Sequence, residues 1–229
     1  MDRYFGFHHK FSSLLILIII LILLPFLFLF FAGGVMLAFT RLGIPASVAY
    51  LLFWTSLIGS AVNIPIKEWT SEVEQIKEIN FFGIRYMIPF HEPRKTILAL
   101  NLGGAIIPCI VVIYEFLRLS DNPLLILKAI VAIIIVTIVC NIFAKPIRGL
   151  GIAIPAFIPP IIAAVTALLI ATDNPVVIAY ISGTIGTLIG ADILNLQRIK
   201  ELGAPIASIG GAGTFDGIFL SGIIAVLLV

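Results

Sequence analysis

Charge is scarce in this chain. Of 229 residues only 11% are charged, against 61% apolar, and mean hydropathy is +1.20. A soluble domain carries about 25% charged residues. A chain of this size has no interior large enough to hide so much apolar surface, so a soluble globular fold is excluded. The same composition excludes disorder. A strong cationic excess is also missing: net charge is +2, with no basic tract beyond pairs such as Arg94-Lys95. Nucleic acid is therefore not an expected partner. Cysteine is rare, and the two present, Cys109 and Cys140, lie inside apolar runs without CxxC or Cys/His spacing. That excludes a disulfide framework and a thiolate metal centre. The histidines, His8, His9 and His91, have no partner spacing, and no metal or cofactor is expected.

What is present is apolar runs. They cover about 11–38, 46–64, 97–117, 123–143, 150–171, 175–196 and 208–229. Each is long enough to cross ~30 Å of hydrocarbon at ~1.5 Å per residue. The first exceeds the ~7–15 residues of a signal-peptide core and is expected to remain as a helix. The expectation is an all-α, polytopic integral membrane protein of about seven transmembrane helices. It forms one domain over 1–229, with the lipid bilayer as its solvent. The third and seventh spans have glycine-rich starts, and the seventh is open to a non-helical beginning.

Basic residues give the orientation. With the N-terminus cytoplasmic, 11 of the 14 Lys and Arg fall on the cytoplasmic side, leaving Arg41, Arg118 and Lys128 outside. The expected location is the cell inner membrane, N-terminus in and C-terminus out. The longest loop, 65–96, then faces the cytoplasm and carries Glu68, Glu72, Glu74, Glu78 and Glu92. Its β-favouring centre suits either a small hairpin or amphipathic piece at the membrane face, or a solvated loop.

Three helix ends share a pattern. Asn63 precedes Lys67, Asn141 precedes Lys145, and Asp192 with Asn195 precedes Arg198. After each comes a glycine-bearing stretch: Asn101-Leu102-Gly103-Gly104, then Gly149 and Gly151, then Gly210-Gly211-Ala212-Gly213. Spans 2–3, 4–5 and 6–7 thus read as three parallel copies of one helical hairpin. Ordinary interfacial Asn and snorkelling Lys is the plainer alternative.

Two carboxylates stand out against the apolar background. Asp216 lies 13 residues before Val229, which places it ~20 Å along its helix, and Asp192 falls at similar depth on the preceding span. A carboxylate inside a bilayer costs about 2.5–3.5 kcal/mol even on lenient scales, so each needs a partner or a water-filled cavity. The plainer alternatives are an Asp192–Arg198 pair and Asp216 as a helix cap. Glycines 210, 211 and 213 free the backbone beside Asp216 for the kind of ion coordination seen at unwound helix ends. The candidate solute or cation site is therefore Asp192, Asn195, Asp216, Gly210, Gly211 and Gly213, with Asn63, Asn101 and Asn141. A phosphate cradle fits poorly, because no Gly-Lys-Ser/Thr follows the glycines. Glu115 and Lys128 were open to pairing with each other, against simple snorkelling.

The run Gly210-Gly-Ala-Gly-Thr-Phe-Asp-Gly-Ile-Phe-Leu220, with Gly190-Ala191-Asp192 and Asn101-Leu102-Gly103-Gly104, resembles a prokaryotic family of multi-pass membrane proteins catalogued as a domain of unknown function. The resemblance implies a shared fold and a similar site around Asp192 and Asp216, and supplies no activity. The two aspartates also look, more loosely, like those of presenilin-type intramembrane aspartic proteases. Here Asp192 follows Ala191 rather than tyrosine, and Thr214 and Phe215 separate Gly213 from Asp216. Three functions follow as expectations. The first is transport of a small solute or cation through paired aspartates. The second is intramembrane proteolysis, with Asp192 and Asp216 as its catalytic pair. The third is a non-catalytic scaffold whose 65–96 loop binds a partner.

Overall fold

The computed structural model describes residues 3–81, 84–147, 151–199, 205–211 and 217–229. The chain is mostly helical. Three described helices are long and apolar enough to cross a membrane: Ile18–Arg41, Pro123–Phe143 and Pro175–Arg198. The first belongs to α1, Arg3–Arg41, whose 39 residues run ~58 Å. The second is α4, Pro123–Phe143. The third starts as α6, Pro175–Thr187, and continues through irregular turns. Shorter helices complete the set: α2 (Ala46–Gly59), α3 (Ile107–Arg118), α5 (Ile158–Ile170), α7 (Leu196–Ile199) and α8 (Gly217–Leu228).

Proline starts four of them. Pro108, Pro123, Pro159 and Pro175 sit in first turns, where the missing N–H is no loss and φ is already helical. Asn122 adds a cap to α4, accepting from Leu125 N at 3.3 Å.

The fold departs from all-α at one end of the bundle. Strands β1 (Asn63–Phe81) and β2 (Ile84–Asn101) pair antiparallel from Asn63↔Asn101 to Phe81↔Ile84. At ~3.4 Å per residue this ribbon is ~60 Å long. Its register shifts between Pro65 and Lys67, where proline cannot donate to the ladder. A short pair, β3 (Lys145–Ile147) and β4 (Gly151–Ala153), joins α4 to α5. Strand β5, Ile206–Ile209, adds parallel to β2.

Three expected spans therefore begin as strand rather than helix. The third is extended until Asn101, because pairing with β1 and β5 satisfies its backbone. The fifth is helical only from Ile158, after Pro155. The seventh is helical from Gly217, after β5 and the positive-φ glycines 210 and 211.

Helix α6 is the centre, packed by α3, α4, α5 and α8. Between Val177 and Thr187 every residue but Ile185 is buried. Small residues permit this. A Cβ on Gly186 would lie 2.6 Å from Val136 Cβ, and one on Gly183 2.9 Å from Ser221 O. Close backbone approach through glycine, serine and threonine is how apolar helices associate without a hydrophobic drive between them.

Contacts fix the two ends. At the end opposite the strands, Arg41 donates to Val226 O at 2.9 Å and Arg118 to Leu42 O at 2.6 Å. Lys128 bonds Asp173 at 3.1 Å, while Glu115 pairs with Arg118. The Glu115–Lys128 pair therefore does not form. Helix periodicity explains this: Glu115 and Arg118 are one turn apart on α3, while Lys128 faces the α5–α6 turn that carries Asp173.

Candidate functional site at the strand-bearing end of the bundle

Polar candidates from β1, β2 and β5 meet in one cluster. Asn101 closes β2 and is fully buried. Its Nδ2 donates to Ser60 O at 2.7 Å and to Asn63 Oδ1 at 3.0 Å, and its Oδ1 accepts from Gly104 N at 2.7 Å. Asn63 Oδ1 also accepts from the Ser208 hydroxyl on β5. Asn101 thus caps a π-widened turn, Leu102–Ile106, that leads into α3. Gly103 of this turn packs against the Ser56–Ser60 backbone at the end of α2, and Gly104 against Gly210 O. Gly210 and Gly211 hold φ of 87° and 90°, the left-handed region that favours glycine.

A second group closes the far end of α6. Here another π-widened turn, Leu188–Asp192, is followed by a 3-10 turn, Ile193–Asn195. Asn195 is 1% exposed. Its Nδ2 donates to Gly190 O at 3.1 Å and Ala191 O at 3.0 Å, and its Oδ1 accepts from Arg198 at 3.1 Å. Arg198 is therefore engaged by Asn195. Asp192 is half-buried beside this cap and lies within electrostatic range of Cys140 on α4. The Gly190 Cα approaches the Thr137 carbonyl and would hold a Cβ 2.7 Å from Cys140 Cβ. Asn141 is half-buried next to Cys140, on the α4 side of this group.

A small apolar core joins the two groups. Leu98 of β2, Ala105 of the first π turn, Ala207 and Ile209 of β5, and Ile218 of α8 are buried together. Leu188 and Leu196, on either side of Asp192, pack against it. Ala212, Gly213 and Asp216 fall in 212–216, outside the described residues. Gly210 before this stretch and Ile218 after it both belong to the junction.

Residues 57–228 match the model of a family described as protein of unknown function, DUF1614. The chain belongs to the DUF1614 family. No curated protein and no solved structure matches it. In this DUF1614 chain the match takes in both π turns, the five described strands and α8, and omits α1 and most of α2.

Sequence reasoning passed over two participants. Ser60 and Ser208 are single hydroxyl residues with no motif, and only strand pairing brings Ser208 to Asn63. At the other end, Glu115 is completely buried and paired with the part-exposed Arg118, although α3 reads as an ordinary apolar helix.

Proposed function

We propose that this chain is a multi-pass inner-membrane transporter of a small solute or cation, with its site at the strand-bearing end. One observation carries the reading. Two π-widened turns and the positive-φ Gly210 converge on one small core, to which Leu188 and Leu196 on either side of Asp192 also belong. Widened turns of this type recur at functional sites. Irregular backbone at membrane depth is tolerated where protein covers it or a water-filled cavity borders it. Helix α8 is only 12 residues long, ~18 Å, shorter than a ~30 Å hydrocarbon core.

In this reading Asp192 and Asp216 serve the solute together with the glycine backbone at 210 and 211, while Asn63, Asn101 and Asn195 hold the neighbouring turns. Helix pairs α2–α3, α4–α5 and α6–α8 are each joined by strand at the same end, which supports the three-hairpin repeat and seven crossings. The distribution of basic residues supports a cytoplasmic side for that end.

A second reading has its own support. Among the described residues β5 pairs with β2 alone, and it leads directly into Gly210 and Gly211. A strand edge of this kind suits strand addition by a peptide, as an intramembrane protease requires.

Thermal unfolding of purified protein across a panel of alkali cations and small polar solutes tests the first reading. A ligand that binds the native state at 100 times its Kd stabilises by about 2.7 kcal/mol. Stabilisation present in wild type and lost in Asp192→Asn and Asp216→Asn supports transport. Cleavage of a transmembrane peptide, lost in the same variants, favours the protease.

A further inference from the structure

The opposite end of the bundle holds a carboxylate that the proposed solute site does not use. Glu115 is 0% exposed. Both of its oxygens accept from a single nitrogen, Arg118 Nη1, at 3.1 and 3.0 Å. That same nitrogen donates to Leu42 O at 2.6 Å. One NH₂ group is divided among three acceptors, so the pair lacks the two parallel bonds of a fork-on-fork contact.

Helix α6 presents two more polar groups here. The Tyr180 hydroxyl (residue 1% exposed) lies toward Thr184 Oγ1 (0% exposed) one turn on, without closing a hydrogen bond of normal geometry. Tyr180 is within electrostatic range of both Glu115 and Cys109. Buried hydroxyls left without partners are rare and costly. From α1, Arg41 is turned away to Val226 O. The group bonded to Glu115 is therefore the Arg118 guanidinium, and the Tyr180 hydroxyl lies within electrostatic range. A metal cation would meet the Arg118 charge. A proton takes no space and can replace it.

We infer that Glu115 is a proton-exchange site, at which a proton and the Arg118 guanidinium compete for one buried carboxylate. The proton arrives from water along Arg118, whose side chain is 43% exposed. It forms an O–H bond on Glu115, and the Arg118 contacts to both carboxylate oxygens break. The neutral carboxyl no longer holds the guanidinium, and Arg118 carries its charge outward. Release also frees the turn at Leu42 and Gly43, where the guanidinium lies 3.1 Å from the position of a Gly43 Cβ. The inference does not depend on what the cytoplasmic site binds.

Infrared difference spectra of the reconstituted protein, between alkaline and acid buffers, test it. Wild type should gain the band of a protonated carboxyl out of water, and Glu115→Gln should lack it. In Arg118→Gln, with no cation beside the carboxyl, the band should be present in both buffers. As a second readout, Leu42→Cys in a Cys109→Ala, Cys140→Ala background should react with an impermeant maleimide several-fold faster when Glu115→Gln is added, at one pH. A band that persists in Glu115→Gln, or equal labelling with and without that substitution, would overturn the proposal.

Discussion

Replacing Asn101 by alanine should unfold the strand-bearing end before anything else. The side chain makes three hydrogen bonds, to Ser60 O, Asn63 Oδ1 and Gly104 N, and is fully buried. Each such bond contributes a net ~1 kcal/mol, and a buried donor left alone costs about 1–3 kcal/mol. Asn63 Oδ1 keeps Ser208, so the orphaned groups are Gly104 N and Ser60 O. The expected loss is about 3–4 kcal/mol. Asn101→Asp should be worse, since a carboxylate can still accept from Gly104 N but faces the Ser60 carbonyl and the Asn63 oxygen without a hydrogen to offer. Asn141→Ala, at a half-buried position on α4, should cost under ~1 kcal/mol. Equilibrium unfolding in mixed detergent micelles, read by tryptophan fluorescence, measures all three. An Asn101→Ala loss below ~1 kcal/mol would refute the capping role assigned to this residue.

Other expectations concern packing, topology and the ribbon. Gly190→Ala should destabilise by about 1–3 kcal/mol, because the new methyl meets Cys140 Cβ at 2.7 Å and the Thr137 carbonyl still closer; the same unfolding assay reads it. Gly43→Ala should cost about 1–2 kcal/mol, since φ is +81° and the Arg118 guanidinium occupies the space; its melting temperature gives the answer. Replacing 71–94 by a two-residue Asn-Gly turn should leave melting nearly unchanged, because the ladder from Asn63↔Asn101 to Thr70↔Lys95 and its β5 neighbour remain. A reporter active only in the cytoplasm should stay dark when fused after Val229, because α8 ends beside Arg41 at the end away from the strands.

The apolar runs made the helices of 123–143 and 175–196 legible, because length and hydropathy alone define them. They misjudged where the third, fifth and seventh helices begin. Hydropathy does not distinguish an apolar strand from an apolar helix. Residues 97–101 are extended because they pair with β1 and β5, and 206–209 because they pair with 97–100, a long-range choice that no local window contains. Asn101, Gly210 and Gly211 were visible as polar or flexible breaks in apolar sequence, and the structure brings them together with Asn63. The Glu115–Arg118 pair and the hydroxyls of Tyr180 and Thr184 left a weaker trace. Single polar residues in an apolar helix look alike whether they face lipid or a neighbour. Burial, which only the fold supplies, separates the two.

Solute flux into proteoliposomes tests the central claim most directly. Wild type should carry at least one alkali cation or small polar solute faster than protein-free vesicles, and Asp216→Asn and Asp192→Asn should abolish that flux while keeping the wild-type melting profile. Folded wild type that moves nothing in the panel, or flux that survives both substitutions, would contradict the account.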